Sequence, residues 1–168
     1  MTTDAETIVV MDANVLINLL RIGQVPLLAR LNGYRFLVPE EVMQEIADLR
    51  QRELLASAVA AGYLGQVVVD TVDSLALFAE LRERMGRGEA ACLALAATTG
   101  THIASDEKKR FRRCAIELIG PTRIVRTESI LLEAIRQGHI SVAEADGFKE
   151  ALEANRYSMS FGSFSELL

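Results

Sequence analysis

The chain has no tryptophan, two cysteines, two histidines and three prolines in 168 residues. So few cysteines exclude a disulfide framework as the scaffold. Cys92 and Cys114 each stand alone in an apolar-patterned segment, which suits reduced core thiols. Neither their spacing nor the separation of His102 and His139 forms a zinc-binding pattern. No apolar run is long enough to span a bilayer. Met1–Glu6 is polar and acidic, without the basic start and apolar middle of a secretory leader. A cytoplasmic protein is therefore expected.

What is present argues for a packed core. Half of the residues are apolar, and the length suits one domain across residues 1–168. No repeat, low-complexity tract or linker divides it. The net charge of −5 opposes nucleic-acid binding at face value. That objection weakens if several carboxylates share one metal site. The remainder is then nearly neutral, and bound divalent cations make the acidic spot attractive to phosphate.

Short β-branched runs alternate with longer helical patterns. Strands are expected at Thr7–Met11, Arg35–Val38, Gln66–Asp70, Thr101–Ser105 and Arg123–Arg126. Helices are expected at Ala13–Leu20, Glu40–Ala61, Asp73–Met85, Glu89–Thr99, Asp106–Leu118, Glu128–Gln137 and Val142–Ala154. The apolar phase of Glu40–Ala61 changes near Asp48–Glu53, so that stretch is either two helices or one kinked helix. Asp73 and Thr127 are N-cap residue types, and Gly62 and Gly100 suit left-handed C-caps. Short apolar runs between helices predict an α/β fold with buried parallel strands. From about residue 137 a helical extension follows, ending in a tail rich in Ser, Phe and Gly.

Four acids sit where such a fold gathers ligands. In Ile8–Ile17 an apolar strand ends in Asp12, and a helical pattern starts just after it. Ligands bind beyond the carboxyl ends of strands in open parallel sheets. The bland role for Asp12 is a helix cap. Glu45 lies beside the apolar stripe Val42, Ile46 and Leu49. Glu89 falls in the first turn of a small-residue helix, where the dipole favours an anion. Gly88 before it leaves room for close approach of other backbone or a ligand. In His102–Lys108 a second strand ends in an acid, Asp106. Downstream, Lys108, Lys109, Arg110, Arg112 and Arg113 form a basic run. It is either a solvated face or a contact for the phosphates flanking an acid site. Four converging carboxylates repel one another, and Mg²⁺ or Mn²⁺ relieves that repulsion. Such a cluster suits phosphodiester cleavage.

The order Asp12, Glu45, Glu89, Asp106, with Asp12 in a strand–Asp-x-Asn–helix setting, resembles the PIN domain. Gly88–Ala90 and Ser105–Lys109 resemble its VapC-type toxin branch. The resemblance covers about Thr7 to Arg136. It implies a three-layer α/β/α fold around a central, mostly parallel sheet. It also implies a Mg²⁺- or Mn²⁺-dependent endoribonuclease. By position, Asp12 and Asp106 are the implied primary metal ligands, Glu45 and Glu89 complete the pocket, and Asn14 and Ser105 support it. The third acid is often Asp in the family, so Glu89 is one methylene longer. Glu107 is a substitute for Asp106 at the fourth position if the following helix starts one residue earlier. An antitoxin partner covering the acids and a homodimer are also implied.

Two other readings compete. One is a PIN-fold protein that binds RNA or protein without catalysis, against which all four acid positions are filled. The other is a phosphatase-like or nucleotide-binding α/β protein. It lacks a P-loop and a GxGxxG loop, and Asn14 stands where such a phosphatase would carry a second acid.

Overall fold

The computed structural model describes residues 5–168; Met1–Asp4 of the polar start lie outside them. In chain order the elements are β1 Thr7–Met11, α1 Ala13–Arg21, β2 Tyr34–Pro39, α2 Glu40–Glu45 and α3 Leu49–Ala60. Then come β3 Gly65–Val67, α4 Val72–Leu81, α5 Arg87–Thr99, β4 His102–Ala104 and α6 Arg110–Ile119. The chain closes with β5 Ile124–Val125, α7 Thr127–Arg136 and α8 Val142–Ala154.

The five strands form one sheet in the order β3-β2-β1-β4-β5, and every pairing is parallel. This is the expected α/β/α architecture. The chain runs outward from β1 through β2 to β3, then crosses back to β4 and outward again to β5. Helix α1 packs with α3 and α7, and α5 packs with α4 and α6. The strand order reverses between β1 and β4, where neighbouring loops part and leave a crevice.

The core explains the segments that read as all-apolar. Val9, Val10 and Met11 of β1 are buried, as are Ile103 and Ala104 of β4. Helix α5 is buried continuously from Ala90 to Ala96. Its Ala-rich sequence lets other elements press against it on several sides. It ends at Gly100, whose φ of 73° is the left-handed cap that its position suggests.

Several boundaries correct the sequence reading. Of the two alternatives for Glu40–Ala61, two helices form, broken at residues 46–48, and Asp48 caps the second through Gln51 N–H. Helix α4 begins at Val72, because Thr71 and Ser74 form a reciprocal capping box that leaves Asp73 in the first turn. Thr127 is the first residue of α7 rather than its cap. Helix α6 begins at Arg110, four residues later than expected. Residues 105–109 are an open loop, and Lys109 has a φ of 59°, which no right-handed helix accommodates. The C-terminal tail is packed: Phe164 is fully buried and meets Phe161 edge-on at 4.9 Å.

Candidate metal centre

Register brings the first site residues together. Met11 pairs with Ala104, and Asp12 N–H donates to the Ala104 carbonyl at 2.9 Å. The two strands therefore deliver Asp12 and Ser105 side by side at the crevice. Asp12 is only 3% exposed. It accepts from Ala13 N–H at 2.8 Å and from the Ser105 hydroxyl at 3.0 Å. The capping role is thus real, but it does not offset the burial. Burial, with repulsion from Glu89 and Glu107, pushes the Asp12 carboxyl up to about 7.

Glu45 and Glu89 meet at the start of α5. Gly88 N–H donates to Glu45 Oε1 at 2.8 Å, so an acid from α2 serves the open N-terminus of α5. A Cβ at Gly88 would collide with the Glu45 carboxylate. The glycine is therefore what admits Glu45. Glu89 is half-buried, and its carboxyl is raised first by burial and then by Glu107 and Glu45. Among the described residues, no ammonium or guanidinium lies within ion-pair distance of Asp12, Glu45, Glu89 or Glu107. Beneath them, the buried Cys92 thiol is held protonated by burial and by the Asp12 charge.

Asp106 faces a different set of groups. Oδ1 accepts from Thr127 N–H and from the Tyr157 hydroxyl, both at 2.9 Å. Oδ2 accepts from Asn18 Nδ2 at 2.9 Å and from the Thr127 hydroxyl at 2.5 Å. Arg126 Nε stands 3.9 Å away. Asp106 thus caps α7 from another segment and is satisfied by its own neighbours. Its place in that network explains why α6 does not start there. Tyr157 also touches Glu128, which pairs with Arg126 at 3.2 Å. The single phenolic proton serves one carboxylate at a time. Burial and both acids hold that hydroxyl well above the usual tyrosine range. The adjacent Glu107 is exposed, and its Oε1 accepts from Asn14 Nδ2 at 3.1 Å. Asn14 Oδ1 in turn accepts from Asp106 N–H at 3.2 Å.

Sequence reasoning missed Asn18, Arg126, Glu128 and Tyr157. Asn18 carried a signal, being a polar residue beside the apolar stripe Val15, Leu16 and Leu19. Tyr157 carried none, since it lies in a tail without periodicity.

The donor set fits a hard divalent cation in chemistry: oxygen only, mutually repelling and without a cationic partner. Among the described residues, no three candidate ligands already stand in coordinating positions.

Two clefts open beside these acids and share Glu107, Lys108 and Lys109. One, of about 380 Å³, is lined by Glu89, Arg84, Arg110 and Arg113. The other, of about 530 Å³, is lined by Asn14, Arg21, Asp106 and Arg156. Of the five cations in the basic run, only Arg112 lines neither cleft.

Residues 8–166 match the family described as PIN domain. The chain belongs to the PIN-domain family. PIN domains are generally nucleases, typically using divalent metals, and nucleic acid is the substrate class that the family implies. The match extends beyond Arg136 and takes in α8 and most of the tail. No curated protein and no solved structure matches the chain. No helix among the described residues is long and apolar enough to cross a membrane.

Proposed function

We propose that this PIN domain is a Mg²⁺- or Mn²⁺-dependent endoribonuclease. The observation that carries the reading is the unpaired acid group at the β1–β4 crevice, with basic clefts on its flanks. Asp12, Glu45, Glu89 and Glu107 are the proposed metal-holding acids. The resemblance assigns the fourth position to Asp106. The four hydrogen bonds that Asp106 accepts favour Glu107 instead, with Asp106 fixing the loop that presents it. Asn14 steadies Glu107, and Ser105 orients Asp12. A bound divalent cation would polarise the scissile phosphate and activate water for in-line attack. Lys108, Lys109, Arg110 and Arg113 face the flanking phosphates of the RNA.

A toxin role, an antitoxin segment over the acids, a homodimer and a cytoplasmic location are further parts of this proposal. The toxin, antitoxin and dimer parts rest on resemblance to VapC-type toxins. An acid pocket without cationic partners suits a basic side chain from an antitoxin.

Calorimetric titration with Mn²⁺ tests the ligand assignment. Wild type is expected to bind, and Asp12→Asn and Glu107→Gln to bind far more weakly. Asp106→Asn is expected to melt earlier yet retain binding. Lost binding in Asp106→Asn at unchanged melting temperature would return the fourth position to Asp106.

A further inference from the structure

Among the described residues, two that are not glycine hold positive φ: Lys109 at 59° and Arg156 at 67°. The first precedes α6 and the second follows α8, so they are distant in sequence. Both line the same cleft of about 530 Å³ beside Asn14, Asp106 and Glu107. Both are cationic and exposed. Neither side chain has a hydrogen-bond or ion-pair partner among the described residues. Lys109, with ψ of −119°, has the backbone of a turn position that normally takes glycine. Arg156 ends α8 in the left-handed region, where glycine is again the usual residue. Backbone strain persists at functional sites where the side chain is needed for something other than folding. Here the fold makes no use of either side chain, while the cleft sets two free cations on its walls. Arg21 and Lys108 add two more.

We propose that Lys109 and Arg156, with Arg21, form a phosphate-binding subsite for the RNA strand that leaves the acid centre. The C-terminal segment thereby contributes a substrate contact of its own. This rests on the ribonuclease reading and adds to it the path of one RNA arm. The charge at these positions takes precedence over local backbone preference.

The test compares Lys109→Gly and Arg156→Gly in the Asp12→Asn background, so that RNA stays intact with Mg²⁺ present. The probe is a short labelled single-stranded RNA of mixed sequence, titrated over a range of salt, with melting temperatures from the same samples. Arg50→Ala, away from both clefts, controls for bulk charge. Each glycine variant is expected to melt higher than its parent, because its backbone strain is relieved. Each is also expected to bind RNA several-fold more weakly, with the log–log salt slope reduced by about 1 per lost cation. If either glycine variant fails to fold, Lys109→Asn and Arg156→Asn tolerate positive φ and give the same slope reading. Unchanged affinity and slope would overturn this proposal alone. Folded wild-type protein that neither binds nor cuts this RNA in Mg²⁺ would overturn the RNA reading with it.

Discussion

At the residue scale the decisive group is Asp12. Its carboxyl is held near 7 because burial outweighs the hydrogen bonds from Ala13 and Ser105. The folded value lies above the unfolded one, so the folded state holds the extra proton between 3.8 and about 7. Stability of the metal-free protein therefore falls as pH rises through that window and levels off above it. Asp12→Asn keeps the cap on α1 and removes the buried charge. It is expected to stabilise the metal-free protein at pH 8, by about 4 kcal/mol at most. The gain should vanish near pH 4. Urea unfolding at both pH values checks this, and equal stability of the two proteins at pH 8 would count against a strained carboxylate. Tyr157 provides a second residue-scale expectation. Tyr157→Phe removes one of four hydrogen bonds to Asp106 and should cost about 1 kcal/mol in the same assay. Asp12 was legible because a strand ended on it. The different surroundings of Asp106 and Glu107 were not legible, because loop and helix place neighbouring side chains in different directions and only tertiary partners choose between them.

At the element scale, helix starts organise the site. Helices α1, α5 and α7 each receive an N–H acceptor from one of the site acids, Asp12, Glu45 and Asp106. The positive ends of three helix dipoles thus lie beside the carboxylates and moderate their repulsion. The contact of α2 with α5 depends on Gly88. Gly88→Ala would push against Glu45 and Val42 at once. By displacing the Glu45 carboxylate it is expected to weaken Mn²⁺ binding, with little net loss of stability because Ala favours the helix by about 1 kcal/mol. Calorimetry checks this, and unchanged Mn²⁺ affinity would refute the close approach. That approach was foreshadowed by Gly88 between Arg87 and Glu89. The late start of α6 was not, since residues 106–109 carry ordinary helix formers. Asp106 is drawn instead to Thr127, Asn18 and Tyr157, which lie 88 and 21 residues away for Asn18 and Thr127 and 51 for Tyr157.

At the scale of the whole molecule, the alternation of strands and helices carried the fold class. It could not carry the tail, which has no period to read. The tail is tied down by Asp146, which accepts from the Ser163 hydroxyl at 2.7 Å and from Phe164 N–H at 2.9 Å. Phe164 then fills the core. Phe164→Ala is expected to cost about 3–5 kcal/mol by urea unfolding. A cost near zero would show the tail to be dispensable. Through Tyr157 the same segment reaches Asp106, so the C-terminal residues are hydrogen-bonded to the acid centre.

Metal-dependent RNA cleavage is the activity proposed for the acids at the β1–β4 crevice. Its most direct test is incubation of wild type and Asp12→Asn with a panel of labelled RNAs in Mn²⁺, in Mg²⁺ and in EDTA. Wild type is expected to cut with either metal and not in EDTA, and the folded variant not at all. Equal cutting by wild type and the folded Asp12→Asn protein would contradict it.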